Sequence, residues 1–492
     1  MNRQIVRLYV VILILFTGLV AFTSRWSVLE AEELQANNQN RRPLIEEQQI
    51  ERGSITSRDG VLIAESKPTG GGPQRVFVRE YPQGALFGNP VGYSFVEVGR
   101  TGIESSENDL LSGEQNEFAT ILDQLTDTQQ KGADITLTLD ANAQRVAVSA
   151  LQSALASTPG AKGGGSIVAI EPDTGAVRVM ASVPGYDPSE VQNEQTFKQL
   201  QSDDVAAPLI NRPTQSTYQP GSTMKVVTAV AALDSGEFEP STTLNANSGI
   251  DISGVPLANS GGQDFGTIDM TAALTNSVNT YWAQVGEQLG PETMVEYMKR
   301  FGFYADPELD YPDIQMRPSG PYNAAGDLVE ADFDVGRVAI GQGGEEGQLL
   351  ATPMQMAQVA GAVANDGKLM EPTFLQEATD PDGRTIEELD PDEQSEVMSE
   401  ETAAQVNELM VGVANDGTAS ALSTSLGQLA GKTGTAEINV EQGLNRPWFI
   451  GFAPAEDPQI AVAAMLEQCT NCFGGEVAGP MATQVMDALA GG

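Results

Sequence analysis

Ala430-Gly-Lys-Thr-Gly-Thr-Ala-Glu437, followed by Trp448-Phe-Ile-Gly-Phe-Ala453, reads as two antiparallel strands, the first nearly bare of side-chain bulk. Such a strand lets an extended peptide pair along its edge, while Lys432 and the hydroxyls of Thr433 and Thr435 offer a carboxylate its partners. An isolated Lys-Thr-Gly also occurs in ordinary edge strands, so its meaning depends on what precedes it. Upstream, Tyr218-Gln-Pro-Gly221 leads into Ser222-Thr-Met-Lys225 and the apolar run Val226 to Leu233, which predicts a buried helix with Ser222 at its amino end. Residues three apart share a helix face, so Lys225 falls beside Ser222. A serine hydroxyl needs a base, and a desolvated amine can be neutral enough to serve. Of the eight lysines only Lys225 has a serine three positions before it. Ser277-Val-Asn279 lies at the predicted join of two helices, where both side chains can face a cleft. Ser106-Glu-Asn108 matches the same pattern, and a helix cap explains either.

Composition narrows the chemistry further. The chain has 492 residues, room for two or three domains. Its 67 acidic and 26 basic residues give a net charge of -41, a field that repels nucleic acid phosphates and anionic head groups. That acidity reads as a solvating surface, with adaptation to salt as the alternative. The absence of histidine removes Ser-His-Asp triads, Cys-His dyads and His-ligated zinc together. Two cysteines, Cys469 and Cys472, are too few for structural zinc and predict a local disulfide that staples a loop without catalytic work.

Residues 8–22, LYVVILILFTGLVAF, carry Arg3 and Arg7 before them and Arg25 and Trp26 after, the pattern of one membrane span. Fifteen uncharged residues cover only about 22 Å, so Ile5, Val6, Thr23 and a snorkelling Arg7 must help. A cleaved signal peptide is the competing reading, although no small-x-small site follows Ala21. The expected division is a cytoplasmic tail over 1–7, an anchor over 8–23, an extended pedestal over 24–140 and a main domain over 141–492. Within the pedestal, Arg52 to Gly60 predicts the start of a hairpin after an acidic Glu30–Asn40 stretch. Asp134 to Leu139 alternates, and Asp140 opens a helix through Leu155. Ser166–Ile170 and Ala176–Val183 predict a strand pair. Helices are expected near 223–234, 270–275, 280–289, 353–364 and 401–415, and a buried strand over Ile460–Leu466, an α+β mixture.

Taken in order, Ser222-x-x-Lys225, Ser277-x-Asn279 and Lys432-Thr-Gly434 resemble the signature set of penicillin-binding proteins and serine β-lactamases. Asn211-Arg212, the Tyr-x-Pro-Gly lead-in, Ala339-Ile-Gly-Gln342, Ala351-Thr-Pro-Met-Gln-Met-Ala357, Gly474-Gly475 through Pro480 and the early Arg52-Gly to Arg58-Asp-Gly60 are similar to class B transpeptidases. The Gly343–Gly347 stretch is longer than the family's usual loop. Length and a compact amino-terminal region are most like the actinobacterial elongation-type enzymes. The resemblance implies the penicillin-binding fold: an antiparallel sheet flanked by helices, a helical subdomain, a dimerisation-like pedestal and one transmembrane helix.

It also implies roles. Ser222 would attack the penultimate D-alanine carbonyl of a peptidoglycan stem peptide, with Lys225 as base and Ser277 relaying the proton. Asn279 would orient the donor, and Lys432, Thr433, Gly434 and Thr435 would line the strand that binds it. The backbone N–H groups of Ser222 and Thr435 would form the oxyanion hole, with no metal or cofactor. β-Lactams would trap Ser222 as an acyl-enzyme. The segment before residue 140 is too short for a glycosyltransferase, so a polytopic glycan polymerase of the shape, elongation, division and sporulation type is the implied partner. The catalytic domain would stand outside the cell membrane on a single span. A D,D-carboxypeptidase, a β-lactamase and a non-catalytic penicillin-binding sensor or scaffold are the rival readings.

Overall fold

The computed structural model describes residues 3–25, 48–70, 75–113, 131–343 and 347–490. The acidic Glu30–Asn40 stretch, Trp26 and residues 344–346 of the glycine-rich loop lie outside them. Helix α1 spans Arg3–Ser24 and leaves Leu13, Ile14, Leu15 and Phe16 exposed. No helix among the described residues is long and apolar enough to cross a membrane.

The strands that position the site are, in chain order, β1 (Ile55–Thr56), β2 (Leu62–Thr69), β3 (Val76–Glu80), β4 (Asp134–Leu137), β5 (Lys162–Ile170), β6 (Val177–Val183), β7 (Leu375–Thr379), β8 (Thr385–Glu388), β9 (Ala430–Asn439), β10 (Leu444–Ala453) and β11 (Ile460–Thr470). The helices are α2 (Ala141–Ser157), α3 (Lys225–Asp234), α4 (Met270–Thr275), α5 (Asn279–Arg300), α6 (Pro353–Ala364), α7 (Glu400–Asp416) and α8 (Ala478–Leu489).

A five-stranded antiparallel sheet in the order β9-β10-β11-β5-β6 forms the centre. Two of its strands are buried deeply: β6, at one edge, throughout, and the inner β11 from Ile460 to Leu466. That explains the continuous apolar run of β11, since a strand covered on both sides has no solvent face to make polar. Helices α2 and α8 pack on each other and against this sheet, and α6 lies across β5, β10 and β11. Every residue of α6 is buried, and the Ala351-Thr-Pro sequence gives its start a physical basis. Thr352 Oγ1 accepts from Gln355 N at 3.1 Å, and Pro353 occupies the first turn, where its missing N–H costs nothing. Helix α5 runs longer than the sequence predicts, with a break at Gly290 (φ 76°) and Pro291. Helix α8 was not foreseen, because Gly479 and Pro480 in its first turn read as punctuation.

The pedestal sheet has the order β8-β7-β4-β1-β2-β3. Strands β7 and β8 come from far down the chain, and β4 receives β7 antiparallel with Leu375 opposite Leu137 and Ala378 opposite Ile135. A division at residue 140 therefore separates the sequence but not the sheet, whose last two strands lie beyond residue 374. Arg58-Asp-Gly60 also ties the two parts together: Asp59 Oδ1 accepts from Ala141 N at 3.0 Å, at the start of α2. Deep in the pedestal, Glu104 is fully buried between Arg52 (Nη2–Oε2 3.0 Å) and Arg79 (Nε–Oε1 2.6 Å), and Tyr81 O–H donates to it at 3.1 Å. The arginines outweigh burial and hold the Glu104 carboxyl below its ordinary range.

Candidate active site

Three segments distant in sequence converge at the edge of the central sheet. Ser222 sits in a single 3-10 turn, Gly221–Met224, that runs directly into α3, so the α-helix proper begins at Lys225 rather than at the serine. Gly221 has φ 56° and its N–H bonds Gly341 O at 3.0 Å; a methyl group on Gly341 would lie 1.8 Å from Gly221 O. The Ala339-Ile-Gly-Gln342 motif thus forms the backrest of the nucleophile's turn. Thr228 Oγ1 bonds Ala339 O at 2.7 Å and fixes the same contact from α3. Ser222 is half-buried and its hydroxyl carries no hydrogen bond among the described residues.

Lys225 is fully buried. Its ammonium donates to Ser277 O at 2.7 Å and to Asn279 Oδ1 at 2.7 Å, with Ser277 Oγ at 3.4 Å. Burial, and then the charge of Lys432, push its pKa well below the ordinary lysine value. Lys432 is also fully buried; it donates to Ser277 Oγ at 2.9 Å and to Thr433 O at 2.9 Å, and desolvation lowers it to about 7. Ser277 Oγ consequently stands between two amines, one from each of the other motifs. Two neighbouring buried ammoniums repel, so the cluster favours Lys225 without its proton.

The backbone of Ser277 explains how a short motif reaches this position. Helix α4 ends with Ser277 N bonding Leu274 O at 3.1 Å and Val278 N bonding Ala273 O at 2.9 Å, a Schellman closure. Its left-handed residue is Ser277 itself, at φ 56°, where glycine is usual. A strained serine at about 1–3 kcal/mol is the kind of local cost that functional sites retain. Asn279 opens α5 immediately afterwards.

Strand β9 is the edge of its sheet, so alternate N–H and C=O groups point away from β10. Lys432 lies opposite Ile450, Gly434 opposite Trp448 and Thr435 opposite Pro447. A side chain on Gly434 would lie 2.7 Å from Pro220 O and 3.0 Å from Thr223 Cγ2, which accounts for glycine where β9 meets the Ser222 turn. The same contact brings the backbone at Thr435 beside that turn. Thr433 Oγ1 is 2.5 Å from Thr418 Oγ1, and Thr435 Oγ1 accepts from Gly474 N at 3.3 Å. Cys469 and Cys472 form the expected disulfide, just before Gly474.

The structure thus brings together Ser222, Lys225, Ser277, Asn279 and Lys432 to Thr435. It differs from expectation for Lys432, whose ammonium is held inside by Ser277 and Thr433 O and does not lie open on the strand. Thr418 is an addition: it follows α7 and nothing in its sequence context marks it. Among the described residues no cluster of acidic, cysteine or histidine side chains could hold a metal ion.

Comparison with known proteins agrees with this geometry. The family model described as the penicillin-binding protein transpeptidase domain matches residues 165–487, and that of the penicillin-binding protein A dimerisation domain matches 52–135. The chain belongs to the class B penicillin-binding transpeptidases. It is 32% identical to the peptidoglycan D,D-transpeptidase PbpA of Mycolicibacterium smegmatis over 98% of this chain and 97% of that protein. Penicillin-binding protein A of Mycobacterium tuberculosis, solved as a ceftriaxone acyl-enzyme, superposes with a TM-score of 0.78 at 30% identity, covering 90% of this chain and 99% of that one. The D,D-transpeptidase domain of a peptidoglycan glycosyltransferase from Eggerthella lenta gives 0.73 at 28% identity, over 90% and 98%. The two matched regions begin at Arg52 and within β5, and the second ends within α8.

Proposed function

We propose that this class B enzyme is a serine D,D-transpeptidase that cross-links peptidoglycan stem peptides and is trapped by β-lactams. The observation that carries the reading is the single cluster of Lys225, Ser277 and Lys432 beside the Ser222 turn and the open edge of β9. The donor stem lies along β9. Ser222 Oγ attacks the penultimate D-alanine carbonyl, its proton passes to the neutral Lys225 amine, and the N–H groups of Ser222 and Thr435 receive the oxyanion. Collapse breaks the peptide bond, and a proton returns through Ser277 Oγ to the leaving D-alanine amine. A second stem's amine then attacks the ester, forming the cross-link and freeing Ser222. Thr433 and Thr435 meet the donor carboxylate, and Asn279 orients its amide. Buried Lys432 acts from behind Ser277, supplying positive charge to the relay and the carboxylate end without lying on the strand surface.

Anchoring by α1 as a single-pass helix, with the rest of the chain extracytoplasmic, is part of the proposal. It is supported by the exposed apolar side chains of α1 and by basic Arg3, Arg7 and Arg25 near its ends. Its 22 residues reach about 33 Å only by including Arg3 and Arg7, which must snorkel. A polytopic glycan polymerase is the partner that supplies glycan strands.

Labelling of the full chain with a fluorescent penicillin tests the reading. Stoichiometric, slowly reversed label on a Ser222 peptide, lost in Ser222→Ala, supports it. Folded protein without label overturns it in favour of a scaffold, and rapid release of hydrolysed penicillin identifies a β-lactamase. Cross-linked dimers from nascent glycan distinguish the transpeptidase from a carboxypeptidase, which yields only trimmed stems.

A further inference from the structure

A polar cavity of about 500 Å³ lies behind the lead-in to Ser222, between the 204–218 segment and strands β10 and β11. Four of the chain's 26 basic residues line it, Lys162, Arg212, Arg317 and Arg446, against the carboxylates of Asp204 and Glu467. In a chain of charge -41 that concentration is notable chemically, because the overall field repels anions and only local contacts could hold one.

The Glu467 carboxylate is already spent inside the fold. Its Oε1 accepts from Arg212 Nε at 2.8 Å and from Tyr218 O–H at 2.8 Å, and its Oε2 accepts from Gly164 N at 2.9 Å. Arg212 directs its remaining nitrogens to the carbonyls of Pro184, Ala206 and Ala207. This pair is a closed unit. Arg446 is different: Nε donates to Glu467 O at 3.0 Å and the guanidinium lies 5.1 Å from the centre of the Tyr218 ring. Its terminal nitrogens meet no acceptor among the described residues, and Lys162, Arg317 and Arg446 form no ion pair there. Arg317 and Lys162 are exposed at the rim. Burial depresses the Arg446 guanidinium from its ordinary value.

We propose that this cavity is an anion-binding site, in which Arg446, Arg317 and Lys162 receive a ligand bearing two or more carboxylate or phosphate oxygens. Guanidinium forks suit planar, multi-oxygen anions, and the volume lies within the range of small-ligand pockets. Arg446 faces Ala436, the residue after Thr435, and Tyr218 stands four residues before Ser222. An occupant that engages Arg446 therefore touches the support of both walls of the reaction cleft. Two sources offer this chemistry: the free carboxylates of a stem peptide, which rests on the transpeptidase reading, and a diphosphate group, which does not.

Calorimetric titration of the detergent-solubilised full chain separates them. Inorganic pyrophosphate is titrated into untreated protein; an amine-blocked stem tetrapeptide is titrated into protein whose Ser222 has been acylated with penicillin, so that the cleft is filled. The expected result is saturable one-site binding of at least one probe, weakened tenfold or more in the Lys162→Gln/Arg317→Gln double variant and further in Arg446→Gln. The double variant should keep penicillin labelling of Ser222, so loss of anion binding and failure of the transpeptidase reading are told apart. Binding by neither probe, or equal binding by wild type and the double variant, overturns the site.

Discussion

Replacing Asn279 by aspartate tests which group takes the serine proton. Asn279 Oδ1 accepts from Lys225 Nζ at 2.7 Å in a site where the lysine is fully buried. A carboxylate at that position would face the ammonium directly. With an effective dielectric near 20, the attraction is about 4–6 kcal/mol, equivalent to roughly three to four pKa units in favour of protonated Lys225. Burial and then Lys432 hold Lys225 well below its ordinary value in the native enzyme, which favours its neutral form. The aspartate would reverse that advantage. The second-order rate of acylation by a fluorescent penicillin, measured from pH 5 to 10, should fall at pH 7 by about 10²-fold or more, consistent with loss of a general base. The acidic limb of the profile should move to higher pH by two units or more. Asn279→Ala removes the acceptor without adding charge, so its rate should fall without that alkaline displacement. An Asn279→Asp profile whose acidic limb overlies that of the wild type would refute Lys225 as the proton acceptor.

Three further outcomes follow from other parts of the molecule. Lys432 binds its proton less tightly folded, at about 7, than unfolded at 10.5, so unfolding takes up protons between those values and stability rises with pH across that window. Lys432→Met should remove part of that rise in calorimetric scans from pH 6 to 10, while an unchanged slope would show the amine to be ordinary. Glu104→Gln removes the carboxylate buried between Arg52 and Arg79 and should cost about 3–5 kcal/mol in urea unfolding, with Ser222 labelling kept below the transition. A loss under 1 kcal/mol would mean that the arginines find other partners. Cleaving the Cys469–Cys472 bond opens only a short loop, so Cys469→Ser/Cys472→Ser should lose at most about 2 kcal/mol, read as a modest fall in melting temperature. A larger loss would show that the bridge does more than close that loop.

Much of the site was legible because its parts are local. The Tyr218–Leu233 segment announces a turn and a buried helix, Ala430–Glu437 a strand without bulk, and Asp140 a cap whose side chain indeed accepts from Ala143 N at 2.9 Å. The buried strand over Ile460–Leu466 was equally clear from its unbroken apolar run. What sequence spacing could not convey was pairing between remote segments. Nothing within Leu375–Glu388 says that these strands join a sheet begun before residue 60, because register with β4 is a tertiary fact. The depth of Lys432 was hidden for a similar reason: a lysine in an edge strand looks solvated until Ser277 is brought over it. The left-handed Ser277 was invisible too, since serine carries no signature of positive φ.

The return of β7 and β8 to the pedestal has a practical side for anyone preparing a shorter protein. A fragment beginning at residue 141 keeps Leu375–Thr379 but removes the Asp134–Leu137 strand along which it bonds, leaving a row of free amides and carbonyls. Such a fragment would hold every residue of the reaction cleft and still invite strand-to-strand aggregation, so soluble preparations are better trimmed before Arg52 than at the apparent boundary. For the same reason a transplant of the pedestal alone onto another anchor would need the 375–388 hairpin supplied with it.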